Sequence, residues 1–336
     1  MLKTSASILA VFMIIALITK PEIASQGAYE GIEMCLKSVV PALFPMSFLI
    51  GYVSDRIIGM KSKFLRLISK ACKIPAGGES IFILSLICGY PIGAQMIASL
   101  YKNGSLDYKS SCRLMGFCNN AGPAFLFGIA STVFRTSFVA WFIWTIQIAS
   151  SILVGVILPC NETAICHPSK AIRKSPSSIL RKSLQSISMV CGWVIIFRVF
   201  ATYIKHFLSN KLPPLLYISL LGVLEMTNGS LELQHVANEA YRLVAFNVFL
   251  SFGGLCVWMQ ILSATNMLGS RMFYVGKLLH TAISTILVLL LQLIIYSNGV
   301  SMFSTFFLII ALSVIVFATC LIIHKNSSRN KETSIV

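Results

Sequence analysis

The chain has 336 residues, 56% of them apolar and only 11% charged, with a formal net charge of +16. A soluble domain carries about a quarter charged residues, so a separate soluble domain is excluded and the composition fits an all-α polytopic membrane protein. The excess of Lys and Arg does not point to nucleic acid, because the cations sit in short loops between apolar runs, where they set topology.

Taken in chain order, residues 4–19 form an apolar run behind Lys3. They read as an uncleaved first helix rather than a signal peptide, although Ala24-Ser25 offers small residues of the cleavage-site kind. The second run, 34–53, carries Pro41 and Pro45, whose spacing predicts a kink or a broken helix. A basic loop follows, with Arg56, Lys61, Lys63, Arg66, Lys70 and Lys73 against Asp55. Run 80–101 is interrupted at Gly89-Tyr90-Pro91-Ile92-Gly93, and run 108–134 at Asn119-Asn120-Ala121-Gly122-Pro123. Residues 137–159 are uninterrupted, with Trp141 and Trp144 near one end as interfacial anchors.

A second basic loop, 160–182, contains Lys170, Arg173, Lys174, Arg181 and Lys182 and divides the chain into halves. Run 184–208 leads to a turn at Leu212-Pro213-Pro214. Run 215–231 is broken at Glu225–Gly229, and run 240–268 at Ser251–Gly254. Two plain spans, 272–297 and 301–323, precede a polar tail. The expected organisation is an N-terminal membrane helix (1–30), a first repeat (31–160), a basic cytoplasmic linker (161–182), a second repeat (183–323) and a tail (324–336).

Loop charge suggests how these runs cross. If each crosses once and the 53–75 loop is cytoplasmic, the basic loop 160–182 falls outside, against the positive-inside rule. If 108–134 and 240–268 instead enter and return as re-entrant hairpins, that loop and the tail cations Lys325, Arg329 and Lys331 all fall inside. The result is about eight to ten membrane segments, with two oppositely directed hairpins in an inverted repeat, the pattern of many secondary transporters. The bland alternative is ordinary broken spans whose topology is set by something other than loop charge.

The four breaks are where a solute would bind. Irregular backbone at membrane depth is tolerated only where it is buried in protein or lines a cavity. Gly89, Gly93, Gly122, Gly229, Gly253 and Gly254 let backbone approach a ligand, and Pro91 leaves a carbonyl without its helical partner. Tyr90, Asn119, Asn120, Thr227, Asn228 and Ser251 supply hydrogen-bonding side chains. Half-helix N-termini favour anions. Equally, such kinks can serve only to pack helices closely.

Two intramembrane charges, Arg198 and Glu225, lie at similar distances on either side of the Pro213 turn. They read either as an ion pair between adjacent helices, or as an anion ligand and a proton carrier. The five histidines (His167, His206, His235, His280, His324) read as loop or span-end residues without ligand spacing. Cys160, Cys166 and His167 share a loop but have no partner pair for a metal site. No nucleophile–base constellation, P-loop or GxSxG is present. The chain is therefore expected to be no enzyme and to need no cofactor, metal or nucleic acid.

The stretch Gly89-Tyr90-Pro91-Ile92-Gly93-Ala94, the Leu100–Gly104 segment and Phe117–Ala130 resemble the YlbJ-type sporulation integral membrane proteins, in the wider group with the nucleoside-recognition, or Gate, domain. Glu225–Gly229 and Phe252-Gly253-Gly254 fit that family as well. The resemblance implies a role in endospore formation, carrying dipicolinic acid across the outer forespore membrane, and distant kinship with concentrative nucleoside transporters. Ile92 and Gln95 stand where relatives carry basic or small polar residues, so no direct basic ligand is expected on the first motif. The leading expectation is a secondary transporter of a small organic anion. The alternatives are a transporter of a nucleoside-like solute and a non-transporting scaffold for spore-envelope assembly. The expected partners are that solute, the bilayer, a coupling ion (proton or sodium) and further copies of the chain.

Overall fold

Inside a bilayer no water satisfies the backbone, so an apolar chain closes its hydrogen bonds within helices. In the computed structural model, which describes residues 2–57, 63–75, 78–160 and 175–298, all regular structure is helical. Five stretches are long and apolar enough to cross a membrane: Pro21–Val53, Ser137–Ile157, Pro176–Leu208, Glu239–Ala264 and Arg271–Ile294. The expected span 301–323 and the tail lie outside the described residues, as do Cys166, His167 and most of the basic linker.

Helices α1 (Leu2–Thr19), α2 (Pro21–Met34) and α3 (Val40–Ile57) open the chain. A wider turn at Cys35–Val39, with the Val40 N–H bonded to the Cys35 carbonyl, joins α2 to α3 without a break. Pro41, which has no N–H to give, stands two residues past that turn, and Pro45 sits inside α3 without ending it. The boundary expected at residue 30 therefore falls within a continuous helix. Next come α4 (Lys63–Ala71), α5 (Glu79–Cys88), α6 (Ile92–Lys102), α7 (Tyr108–Met115), α8 (Pro123–Phe134) and α9 (Ser137–Ile157). The second half holds α10 (Pro176–Leu208), α11 (Pro214–Leu224), α12 (Met226–Glu232), α13 (Glu239–Phe252), α14 (Gly254–Ala264) and α15 (Arg271–Asn298). Because α10 starts at Pro176, the last residues of the expected linker are helical. Its N-terminus is capped by the Ser175 hydroxyl, which accepts from the Ser178 N–H.

Two fold-backs organise the core, and both lie one element earlier than loop charge suggested. Gly93 on α6 packs so closely on Ser85 of α5 that a Cβ there would come within 2.9 Å of the serine Cβ. Along a straight helix, residues eight apart are about 12 Å apart, so α5 and α6 are the arms of a hairpin. In the same way, a Cβ on Gly229 of α12 would overlap the backbone of Gly222 on α11. Each hairpin arm spans at most about 17 Å at 1.5 Å per residue, roughly half the hydrocarbon core. By contrast, α7 packs on α6 and α15 while α8 packs on α9 and α12. Across the Gly253 break, α13 and α14 form one 26-residue span. The segments 108–134 and 240–268 are thus interrupted helices, not hairpins whose arms pack together.

The order hairpin, interrupted helix, long helix occurs twice: α5–α6, α7–α8, α9, and then α11–α12, α13–α14, α15. The halves exchange arms, with α6 against α14 and α12 against α8, while α9 packs along α15. Outside this core, α2 and α3 lie against α10 as a peripheral frame.

Candidate functional site

A helix that stops leaves up to four N–H groups at one end and four carbonyls at the other without partners. At membrane depth those groups must be met by protein. Here each hairpin tip meets the break of an interrupted helix. At the first pair, the Tyr90 N–H donates to the Asn120 carbonyl at 2.8 Å. Gly89 has φ +71, and a Cβ there would overlap the backbone of Gly122, so only glycine serves. The Asn119 amide donates to the Met115 carbonyl at 2.8 Å. The Asn120 amide donates to the Phe117 carbonyl and to the Ser151 hydroxyl, each at 3.0 Å. Ser151, on α9, also donates to the Phe117 carbonyl at 2.6 Å. The amide N–H groups of both asparagines are thus spent on carbonyls and on Ser151.

At the second pair, Glu225 separates α11 from α12, and its carboxylate accepts from the N–H groups of Thr227 (3.0 Å) and Asn228 (2.8 Å). An acidic side chain on a helix N-terminus is favoured by both hydrogen bonding and the dipole. Gly254 (φ +70) brings the break in the α13–α14 span against Met226 and Gly222. The carbonyl of Ser251 accepts from Lys277 Nζ of α15 at 2.9 Å. Ser151 in the first half and Lys277 in the second therefore do the same work, each from the long helix that follows the break.

The two tips touch. The Tyr90 hydroxyl donates to the Met226 sulfur, and Lys277 Nζ lies 5.2 Å from the centroid of the Tyr90 ring, a cation–π distance. All four breaks thus converge at one place. A cavity of about 80 Å³ opens beside them, lined on the core side by Tyr90, Gly122, Glu225, Met226, Thr227 and Gln260. Its other wall is the frame, with Ser38, Val39 and Leu43 facing Val190 and Val194. Several buried polar atoms around the breaks have no partner among the described residues: Asn119 Oδ1, both amide atoms of Asn228 and the Ser230 hydroxyl. Such orphans are rare in native proteins and mark places where water or a ligand belongs.

Tyr90, Gly122, Glu225 and Thr227 of the expected site line this cavity, and Asn228 stands beside it. Gly89, Pro91, Gly93, Asn120, Gly229, Ser251, Gly253 and Gly254 build the breaks. Arg198 is not among them. The expected pairing with Glu225 is absent, because Arg198 is bonded to Glu30 of α2, with Nη2 at 2.7 Å and Nε at 3.0 Å. That ion pair belongs to the frame.

Sequence reasoning missed Lys277, which is 2% exposed, and took His280, 1% exposed, for a span-end residue. Both lie within α15, where 272–297 had read as a plain span. The signal was available: an ionisable residue inside an apolar run is a functional candidate by default. A buried polar file runs alongside. His280 Nε2 lies 3.1 Å from the Gln147 carbonyl. Gln147 donates to Asn247 at 3.0 Å, and Asn247 donates to Ser284 at 3.1 Å. Among the described residues, no group of three His, Cys, Asp or Glu side chains could hold a metal ion.

No protein-family model matches the chain, and no solved structure matches it. The sporulation integral membrane protein YlbJ of Bacillus subtilis (strain 168) is 24% identical, over 85% of this chain and 82% of its own length. The chain is thus an integral membrane protein, similar at a distance to one that acts in sporulation.

Proposed function

We propose that the protein is a secondary transporter that carries a small organic anion past the meeting point of its two halves by alternating access. The observation behind this reading is the meeting of four backbone breaks, two of them hairpin tips, beside a single cavity that three of the breaks line, with the buried Lys277 behind Tyr90. Hairpin arms about half a bilayer long, meeting tip to tip, fit entry from opposite faces, as in an inverted repeat. Tyr90 both lines the cavity and covers Lys277, so a swing of that ring would bring the ammonium to the solute. Lys277 replaces Arg198 as the anion ligand in this reading. A cavity of about 80 Å³ is roughly half the ~150 Å³ that holds a benzene ring, so loading requires the core to open.

Dipicolinate, a planar dianion, is the solute that the family resemblance implies, moved across the outer forespore membrane. Glu225 favours a second reading. A carboxylate lining the cavity, next to Gln260, repels a dianion and suits a neutral, hydrogen-bonding solute of the nucleoside kind. Purified protein in liposomes separates the two. Uptake of labelled dipicolinate, lost in Lys277→Met, supports the anion reading. Uptake of uridine without dipicolinate replaces it by the second. Uptake of neither removes transport of both classes.

A further inference from the structure

Lys277 occupies an environment that does not suit a permanent charge. It is 2% exposed within α15, and no carboxylate stands within ion-pair distance of it among the described residues. Among the described residues its ammonium meets one carbonyl, that of Ser251, and the face of Tyr90. An ammonium has three donors to satisfy, and an unpaired charge at this depth is costly. A neutral amine is at ease here, whereas the charged form needs an anion beside it. One helical turn further along, His280 holds its Nε2 against the Gln147 carbonyl. A carbonyl only accepts, so Nε2 carries the hydrogen and Nδ1 keeps its lone pair. That Nδ1 is buried and has no hydrogen-bond partner among the described residues.

The titratable groups around the pair are few. Tyr90 faces Lys277 from the first hairpin tip, with Glu225 at the second tip beyond it. On α7, the guanidinium of Arg113 is turned to the carbonyls of Leu158, Lys73 and Gly155, Tyr108 and Cys112 lie by Gly269, and Lys109 follows Tyr108. On α15 itself Arg271 stands at the start and Tyr274 packs on Trp258 and Phe273. On α13, Glu239, Tyr241 and Arg242 lie at the far end, where Gln292 bonds the Ala240 carbonyl. The α9 sequence has no Asp, Glu, Lys, Arg, His, Cys or Tyr.

We infer that Lys277 is the coupling-ion site: it takes up one proton when an anionic solute binds beside it and releases that proton when the solute leaves, with His280 as the neighbouring acceptor. This rests on the transport reading above. The proton comes from hydronium on the loading side: its O–H bond breaks, leaving water, as an N–H bond forms with the amine lone pair. On unloading, that bond breaks, and the proton passes to His280 Nδ1 or to water. Because anion and proton each stabilise the other's bound form, their binding is reciprocal. The loaded core carries both, and the empty core returns with the amine neutral. The protein would then be a proton–anion symporter rather than a sodium-coupled one.

Two measurements test this. In proteoliposomes, an inward proton gradient should drive dipicolinate accumulation without sodium, and a dye should report protons entering with it. Lys277→Arg, permanently protonated, should lower the ratio of net uptake to dipicolinate–dipicolinate exchange by about tenfold or more, because the empty core cannot return. His280→Gln keeps a donor for the Gln147 carbonyl and should lower the same ratio less. Net dipicolinate uptake with no proton movement, or uptake that needs sodium, overturns the coupling while leaving transport intact. The second measurement needs no flux. In nanodiscs, ¹⁵N spectra of histidine- and lysine-labelled protein should show a His280 or Lys277 signal, assigned by the two variants, that changes charge state when dipicolinate is added between about pH 5 and about pH 8. Signals locked in one state, with and without dipicolinate, overturn the inference even if no flux is seen.

Discussion

The frame and the core are built from equally apolar sequence and solve opposite problems. In the frame, α2 and α3 lie along α10 as long helices whose backbone needs nothing from outside. They meet through small residues: a Cβ on Gly27 or Gly31 would press on the α10 backbone at Val199 or Ile195. One partly exposed ion pair, Glu30–Arg198, ties them further. In the core the helices are cut short, and three of the four cuts are answered by a neighbour: Tyr90 by Asn120, Phe117 by Ser151, Ser251 by Lys277. The fourth is capped by its own Glu225 carboxylate. Close packing alone needs the first solution. Broken backbone is costly at this depth, and on the transport reading it is the means of holding a solute between the pieces.

The largest expected effect breaks the core at its tightest point. Gly89→Val places a branched side chain at φ +71 and into the Gly122 backbone, and should cost more than about 4 kcal/mol. No monodisperse protein should then survive size-exclusion chromatography in detergent. If it does, tip-to-break packing is not what holds the core. Lys277→Met comes next. It should fold, but lose about a hundredfold in dipicolinate uptake, in line with the roughly 2–5 kcal/mol lost on truncating one side of a buried charge pair. Glu225→Ala removes the cap of α12 and should lower stability by about 1–2 kcal/mol, read as a drop in melting temperature that Glu225→Gln partly restores. The smallest effect belongs to the frame. Arg198→Met should cost about 1 kcal/mol or less, as partly exposed pairs do, and should leave the KM for dipicolinate unchanged. A raised KM would move Arg198 back into the solute site and erase the distinction between the two regions.

The breaks themselves were legible, because Gly-Tyr-Pro, Asn-Asn-Ala-Gly-Pro and Phe-Gly-Gly have no place in a plain span. Which breaks reverse the chain was not. Reversal depends on whether Gly93 can lie on Ser85, and Gly229 on Gly222, and no periodicity reports a contact between arms. Loop charge pointed one element too far along because it counts crossings, and each half contains one reversal wherever it falls. Arg198 was misassigned because its partner, Glu30, comes from a helix far away in sequence that loop-by-loop depth arithmetic never brings near. Lys277 was overlooked for the opposite reason: it stands near Arg271 at the start of an apolar run and resembles an interfacial anchor until the rotation of α15 is known.

The wide turn at Cys35–Val39 has a consequence for the whole length of the frame. The residues that face α10 recur at every fourth position: Gly27, Gly31, Cys35, Val39, Leu43 and, two steps on, Gly51. Their partners descend α10 from Thr202 to Ile179. In a regular α-helix each four-residue step overshoots a full turn by about 40°, so six steps would carry the stripe about 240° round the axis. One i→i+5 turn sets that drift back by about 100°. The wide turn is a phase correction. It cuts the drift over more than thirty ångströms to about 140°, and deleting one residue within it would rotate half the stripe a further ~100° from its partner.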